Sequence, residues 1–182
     1  MPISQARETD NMTHQQEMII FDFNSRIELE PWRVINDGVM GGLSESNITH
    51  SSSGTAVFKG NVSLKNNGGF ASTRTLARPY EMGGQDGVLL KVKGDGKIYQ
   101  FRVKTNERFD GVSYRFEFKT EAGSWTIIDA PFNRFTPVFR GRILDDVEPI
   151  HPENIRQLGF LISNRQADKF QLEIDWIKSY RK

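Results

Sequence analysis

The sequence contains no cysteine, which excludes disulfides, thiolate nucleophiles and cysteine-based zinc or iron–sulfur sites. It also carries little net charge, because 24 basic residues balance 23 acidic ones to give +1 at pH 7. Composition therefore supplies no overall attraction to nucleic acid or to a membrane surface. No apolar run approaches the ~20 residues that a membrane-spanning helix needs, so we expect a globular protein without a membrane span.

Sustained helical periodicity is also missing. In its place, about eleven short strands alternate with turns rich in Gly, Asn and Pro, which predicts an all-β sandwich or barrel of Greek-key type with little helix. Residues 18–182 contain no linker and are predicted to form a single domain. Residues 1–17 are polar, so we predict a disordered N-terminal extension that is neither a secretory signal nor a mitochondrial presequence.

Strict alternation marks the clearest strands. Apolar residues alternate with polar ones in 99–104 and again in 114–119, which predicts one buried and one solvent-facing side for each strand. In the last strand every second residue from Phe170 to Trp176 is apolar, so these side chains are expected on one face. The predicted solvent-facing side of the first strand consists of Gln100, Arg102 and Lys104.

Two glycine-rich stretches punctuate the first half of the chain. The first, from Trp32 to Ser44, is W-R-V-I-N-D-G-V-M-G-G-L-S, which begins as a strand and turns at Asn-Asp-Gly. Val39-Met40 is then a short apolar segment between two glycine-bearing bends. Gly41-Gly42 lets the backbone pass close to another strand or to a ligand. The second stretch, N-N-G-G-F, occupies 66–70. We expect each glycine-rich stretch to form a corner, with the β-sandwich built between the two corners.

A family resemblance is carried by three motifs, W-R-V-I-N-D-G-V-M-G-G-L-S-E-S, F-K-G-N-V-S-L-K-N-N-G-G-F-A-S-T-R and F-Q-L-E-I-D-W-I. From Ile20 to Tyr180 the chain resembles the complex I intermediate-associated protein 30 family. The resemblance implies a galactose-binding-like β-sandwich, a jelly roll, and an assembly-factor or chaperone-like role, since eukaryotic members are similar to mitochondrial chaperones of respiratory NADH dehydrogenase assembly. Because the chain lacks a presequence, it resembles a compact bacterial member, and we expect a cytoplasmic protein.

The sequence offers no catalytic constellation. The histidines are far apart, and the densest acidic group, Asp145 to His151, lacks the spacing of a calcium loop. No glycine pattern matches a nucleotide-binding loop, and no nucleophile elbow exists. A Ser–His–Asp site stays open, since only folding brings such residues together. We therefore predict a non-catalytic binding protein with no catalytic residue, no metal and no cofactor.

A candidate ligand corner combines Asn36, Asp37 and Arg74. Arg74 follows the second glycine-rich stretch on a predicted strand, and its guanidinium could hold a carboxylate, a phosphate or a sugar. The alternative for Arg74 is an ion pair with Asp37 or Asp86. Asn36 and Asp37 are equally explained as turn formers.

The segment 132–142 supplies the candidate partner-binding residues, because aromatic and arginine side chains dominate protein interfaces. These residues are Phe132, Arg134, Phe135, Phe139, Arg140 and Arg142. The alternative is a long connection whose phenylalanines cap the sandwich. Grooves for single-stranded nucleic acid use the same residue types, but we expect a protein partner, with respiratory-complex subunits among the candidates. Carbohydrate or a small ligand is the alternative, and nucleic acid is not expected.

Overall fold

The computed structural model describes residues 16–182, which form 13 β-strands and five short 3-10 helices. The strands are β1 (Gln16–Phe21), β2 (Trp32–Asn36), β3 (Glu45–His50), β4 (Ala56–Val62), β5 (Ala71–Thr75), β6 (Gly87–Lys93), β7 (Ile98–Lys104), β8 (Ser113–Lys119), β9 (Trp125–Pro131), β10 (Thr136–Phe139), β11 (Arg142–Ile143), β12 (Gln157–Ile162) and β13 (Asp168–Arg181). The 3-10 helices are Arg26–Leu29, Asp37–Met40, Lys65–Asn67, Phe132–Arg134 and Pro152–Asn154.

The strands pair antiparallel in two sheets. The six-stranded sheet has the order β3-β4-β13-β6-β9, with β1 also paired to β13. The seven-stranded sheet has the order β11-β10-β8-β7-β12-β5-β2. Since neighbours in space are rarely neighbours in sequence, most strands are joined by connections that cross between the sheets. The predicted all-β sandwich with little helix is confirmed.

The core lies between the sheets and uses the apolar residues of the alternating strands. In β6 and β7 these residues are at most 1% exposed: Val88, Leu90, Val92, Tyr99, Phe101 and Val103. Rings from different strands contact each other there, with 5.3 Å between the centroids of Phe101 and Phe160. The predicted buried sides of these strands are confirmed.

The predicted solvent-facing side of β7 is wrong. Gln100 and Lys104 are only 2% and 5% exposed, and Arg102 is half-buried. The loop 105–112 folds back over this side, where Lys104 Nζ donates to loop carbonyls, including that of Phe109 at 3.3 Å. These polar side chains can be buried because their polar atoms find partners.

The last strand also departs from simple alternation. Phe170, Leu172 and Ile174 are buried in the core as predicted. The pairing of β13 with β6 then shifts by one residue between Ile174 and Trp176, and such a bulge reverses the faces that follow it. Trp176 therefore lies beside Lys91 on the outer side of the sheet, and the expectation that it shares the core face is wrong.

The predicted disordered extension, residues 1–17, lies outside the described residues except for its end. Gln16 and Glu17 already belong to β1, where Glu17 contacts Lys178 at 3.1 Å. Within residues 16–182, no helix has the length and apolar character that crossing a membrane requires.

The segment 132–142 contains two strands that the sequence did not reveal. β10 and β11 form a hairpin with Val138 opposite Ile143. Its two-residue loop, Arg140-Gly141, has φ values of 47 and 77, and both residues of this tight turn type need positive φ. The chain here is an edge of the seven-stranded sheet rather than an irregular connection.

Candidate functional site

The two glycine-rich stretches meet at the carboxylate of Asp37, which is fully buried. Asp37 Oδ1 accepts a hydrogen bond from the main-chain N of Ser44 at 2.9 Å. Asp37 Oδ2 accepts from Ser44 Oγ at 2.5 Å, from Gly69 N at 2.7 Å and from Phe70 N at 3.2 Å. Because the four donors come from both stretches, Asp37 acts as a clamp that fixes one corner to the other.

The electrostatics of the clamp favour an ionised carboxylate. Burial pushes the pKa of Asp37 up, but the hydrogen bonds from Ser44, Gly69 and Phe70 outweigh burial and hold this pKa below its ordinary value of 3.8. Ser44 Oγ also accepts a hydrogen bond from Ser63 N at 2.9 Å. The clamp therefore ties three segments together through one carboxylate and one hydroxyl.

The clamp accounts for the glycines of both motifs. A Cβ added at Gly42 would lie 2.3 Å from Asp37 Cγ, and one at Gly68 would lie 2.7 Å from Asp37 Oδ2. Gly41 has φ 86 and caps the 3-10 helix Asp37–Met40 in a left-handed conformation, which suits glycine. The predicted close approach of the backbone is thus an approach to the chain itself.

Four apolar side chains face solvent around the clamp. Val39 and Met40, in the 3-10 helix that starts at the clamp, are 62% and 61% exposed, while Leu43 and Leu64 are 53% and 38% exposed. Leu43 and Leu64 each adjoin one of the two hydrogen-bonded serines. We call these four residues the apolar corner. Apolar side chains held on a fixed scaffold can bind a partner at little ordering cost.

Sequence patterns identified only half of the apolar corner. Val39-Met40 stands out because glycines flank it, but Leu43 and Leu64 look like ordinary core residues in a β-rich sequence. Both lie in connections outside the strands, next to the hydrogen-bonded Ser44 and Ser63. No periodicity could therefore have found their exposure.

The predicted ligand corner is not one site in the structure. Asn36 Oδ1 accepts hydrogen bonds from Ser46 Oγ at 2.7 Å and from Ser72 N at 3.3 Å, so its amide supports the corner structurally. Arg74 lies on the opposite face of the seven-stranded sheet, because it is three residues along β5 from the partner of Asn36. There its guanidinium stacks 4.7 Å from the ring centroid of Phe109.

The alternative for Arg74, an ion pair with Asp37 or Asp86, is also not found among residues 16–182. Asp37 is occupied by the clamp, and Asp86 Oδ2 accepts from Lys182 N at 2.8 Å. The carboxylate that acts on Arg74 is that of Asp110, across the same face. Whether Arg74 holds a ligand stays a prediction.

The candidate partner segment divides into a buried and an exposed part. Phe132 is buried, and Phe135 packs against Phe132 and Phe116 with ring centroids 5.8 and 5.6 Å apart. These two rings cap the core, as the alternative interpretation holds. The residues left at the surface are Arg134, Phe139, Arg140 and Arg142, and Arg140 forms a salt bridge with Asp110. A binding role for this surface stays a prediction.

The acidic loop forms only a small surface network. His151 Nε2 lies 3.4 Å from Glu148 Oε2, and His151 Nδ1 lies 3.8 Å from Glu153 Oε1. Within residues 16–182, no group of three or more His, Asp or Glu side chains is placed to hold a metal ion. Among the described residues, the apolar corner beside the Asp37 clamp is therefore the candidate surface for binding a partner.

Solved structures resemble this fold at low sequence identity. The chain superposes on the family 11 carbohydrate-binding module from Clostridium thermocellum, solved with a β-1,3-1,4-mixed-linked tetrasaccharide, with a TM-score of 0.65 and 18% identity over 91% of this chain and 95% of that one. A second structure of this module gives a TM-score of 0.63. This likeness concerns the fold alone, which is the galactose-binding-like β-sandwich that the family resemblance implies.

The family follows from the sequence motifs. The family model for Complex I intermediate-associated protein 30 (CIA30) matches residues 21–174, so the chain belongs to this family. The Caenorhabditis elegans protein named probable complex I intermediate-associated protein 30, mitochondrial, is 28% identical over 92% of this chain and 55% of its own length. The Mus musculus protein named complex I intermediate-associated protein 30, mitochondrial, is 24% identical over 94% of this chain and 58% of its own length. The chain thus spans little more than half of these relatives.

The expected localisation is wrong. The sequence suggested a cytoplasmic, bacterial protein, but the relatives from Caenorhabditis elegans, Drosophila melanogaster and Mus musculus are all named as mitochondrial. That expectation rests on the acidic composition of residues 1–17, which the names of these relatives outweigh.

Proposed function

We propose that this protein is a non-catalytic binding module that holds protein partners, and that these partners include assembly intermediates of mitochondrial complex I. The family membership and the names of the curated relatives support the choice of complex I. The observation that carries the proposal is the apolar corner, whose four exposed side chains lie within three residues of the hydrogen-bonded Asp37, Ser44 or Ser63.

The physical reasoning links rigidity to binding. An exposed methionine or leucine on a mobile loop loses conformational freedom when it binds, and that loss cancels part of the gain from burial. At the corner the main-chain part of this loss is smaller, because the Asp37 clamp already holds the backbone of both stretches. Burying most of Val39 and Met40 against a partner would contribute about 1.5–3 kcal/mol per side chain. The exposed side of the segment 132–142 remains a proposed second contact.

The alternative function, carbohydrate binding, rests on the likeness of fold to carbohydrate-binding modules. Sugar sites use open aromatic faces on which a pyranose ring stacks. Trp125 is 40% exposed on the outer side of the six-stranded sheet, but Lys93 Nζ lies 4.9 Å from its ring centroid. Trp176 is approached in the same way by Lys178 Nζ at 4.3 Å. These ammonium groups occupy ring faces that a sugar would need, so protein binding is the better-supported function.

The test uses the double variant Val39→Ser/Met40→Ser. The immobilised protein is incubated with detergent-solubilised mitochondrial membranes from its source organism, and recovered complex I subunits are quantified by mass spectrometry. We expect the variant to recover at least tenfold less, because the two side chains together would contribute about 3–6 kcal/mol and a loss of about 1.4 kcal/mol already changes an affinity tenfold. Titration with mixed-linked β-glucan serves as the carbohydrate arm and should give no heat of binding.

The matched control is Ile127→Ser. Ile127 is 58% exposed, a fraction close to the 61% of Met40. It lies on β9, at the opposite edge of the six-stranded sheet from β3. Both variants should melt like the wild type, because the substituted side chains are exposed. Equal recovery of complex I subunits by wild type and double variant would refute the role of the apolar corner.

A further inference from the structure

Four arginines form a row across the outer side of the seven-stranded sheet. Arg33 of β2 is opposite Arg74 of β5, and Arg102 of β7 is opposite Arg115 of β8. Gly159 of β12 stands between the two pairs, opposite both Arg74 and Arg102. With strands ~4.8 Å apart, the row spans roughly 19 Å. We call these four arginines the arginine row.

Gly159 interrupts the arginine row because the packing around it leaves no space for a side chain. A Cβ at Gly159 would lie 2.8 Å from the carbonyl oxygen of Thr73 and 3.0 Å from Arg74 Cβ. A side chain there would force β5 or β12 to shift. Gly159 therefore separates the two arginine pairs without a side chain of its own, on a strand that is buried along its whole length.

The arginine row has no carboxylate partner within residues 16–182. Arg33 Nη1 donates to two backbone carbonyls, those of Glu30 and Trp32, at 2.6 and 2.8 Å. Arg102 donates through Nε and Nη2 to Gln100 Oε1 at 3.0 and 2.7 Å. Arg74 stacks on the ring of Phe109. Of the described salt bridges, none includes any of the four guanidinium groups.

The nearest carboxylates do not neutralise this face. Asp110 acts on Arg74 and Lys104 but is bound by Arg140 at its Oδ2. Glu117 lies one row further along β8, where Gln100 and Asn164 donate to its Oε2 at 3.3 and 3.0 Å. Several positive charges therefore share a partly buried face.

Burial and neighbouring positive charges lower the pKa values of this face. Burial, and then the neighbouring Arg115, lower the pKa of Arg102 to about 10. Burial, and then Arg74, lower the pKa of Lys104 to about 8. Burial also lowers the pKa of Arg74. Perturbed pKa values cluster at functional sites, and a bound anion would relieve the repulsion.

We infer that the arginine row binds the carboxylate groups of an extended acidic segment of a protein partner. This inference rests on the proposed function for its choice of a protein as the ligand. The planar guanidinium group binds carboxylates through two parallel hydrogen bonds. A row of this length needs several anionic groups spaced along a chain. In an extended peptide, side chains on one side recur every ~6.8 Å, so about four carboxylates span the row.

Nucleic acid fits this face less well. Proteins that bind single strands combine cations with aromatic rings on which bases stack. Among the described residues, the ring beside the row is that of Phe109, and the guanidinium of Arg74 already covers one of its faces. A carboxylate-bearing peptide needs no such platform.

The test measures binding of fluorescein-labelled decaglutamate by fluorescence anisotropy at low ionic strength. We expect binding by the wild type that weakens as salt is added, and no binding of decaglutamine. The double variant Arg74→Gln/Arg115→Gln should bind decaglutamate about tenfold more weakly. The control Arg26→Gln/Arg181→Gln removes the same charge from exposed positions outside the row and should stay within about twofold of the wild type.

Three outcomes would overturn the inference: no binding of decaglutamate, an equal loss in the control variant, or stronger binding of inorganic phosphate or oligothymidylate than of decaglutamate. Should the double variant unfold, titration of the wild type followed by NMR decides, since the arginine Nε–H signals that shift must be those of the row. The apolar corner is tested by other variants and another ligand, so a failure here leaves the proposed function standing.

Discussion

Replacing Asp37 with asparagine should remove a large part of the stability of the fold. The asparagine side chain has the same shape but offers one acceptor oxygen where the carboxylate offers two. If that oxygen takes the place of Oδ2, its NH2 group faces the N–H of Ser44, which is 2.9 Å from Oδ1 in the wild type. Two donors then oppose each other in a site from which water is excluded.

The magnitude follows from the four hydrogen bonds. Losing the bond from Ser44 N costs about 1.5–3 kcal/mol, because its acceptor is charged. The other three bonds become neutral ones of about half the strength. We expect a total loss of about 4 kcal/mol, a large share of the ~5–15 kcal/mol that a domain possesses. For a chain of this size the melting temperature should fall by about 8–16 °C.

The assay is urea denaturation followed by far-UV circular dichroism at neutral pH. The control Asp146→Asn changes an exposed aspartate and should alter the free energy of unfolding by less than ~0.5 kcal/mol. A loss below ~1 kcal/mol for Asp37→Asn would refute the clamp as the link between the two glycine-rich stretches.

The acid side of the stability curve gives a second readout of the same variant. The pKa of Asp37 is lower in the folded protein than its ordinary value of 3.8, so the unfolded chain binds this proton more readily. The stability that ionised Asp37 contributes is complete above the unfolded pKa and is lost as pH falls through the folded one. The free-energy gap between wild type and Asp37→Asn should therefore narrow below pH 3.8.

Further substitutions test the glycine-rich corner, the aromatic cap and the surface salt bridge of Arg140. Gly42→Val should lower the free energy of unfolding by about 1–3 kcal/mol through its clash with Asp37, whereas Gly38→Val, where an added Cβ meets nothing within 4 Å, should melt near the wild type. Phe135→Ala should cost about 2–3 kcal/mol of stability while complex I subunits are still recovered. Arg140→Ala breaks only a surface salt bridge and should cost less than ~1 kcal/mol. Loss of those subunits by Phe135→Ala without a change in melting would assign Phe135 to the partner surface instead.

The sequence predicted the parts of this fold that depend on local alternation. The apolar residues of β7 and β8 are buried because each strand has one side against the other sheet, and a period of two encodes that directly. The glycine-rich motifs were recognised as corners, and a Cβ at Gly42 or Gly68 would indeed collide with Asp37. The identity of that neighbour could not be predicted, because the two stretches meet only in the folded protein.

The candidate site depended on features that alternation does not encode. Gln100 and Lys104 look like surface residues until a loop folds over them, and the bulge before Trp176 leaves no local mark in the sequence. The arginine row is the clearest case. Its members are spread from Arg33 to Arg115, and their alignment depends on strand order and register. Of these four arginines, only Arg74 is a candidate ligand residue from the sequence, because it follows a glycine-rich motif.

Lys104 offers a test of whether this face is under electrostatic strain. Its pKa falls from the ordinary 10.5 to about 8, first through burial and then through Arg74. Between these values the unfolded chain binds more protons than the folded one, so this group makes stability rise as pH increases from about 8 to 10.5. Lys104→Met removes the effect.

The measurement is the free energy of unfolding of wild type and Lys104→Met across that window. We expect the wild type to gain stability relative to the variant as pH rises, because folding releases a proton from Lys104. Lys59→Met, at an exposed lysine of the six-stranded sheet, controls for the loss of one positive charge. A constant difference between wild type and Lys104→Met at all pH values would mean that neither burial nor Arg74 lowers the pKa of Lys104 in the folded protein, and the electrostatic strain proposed for this face would have to be abandoned.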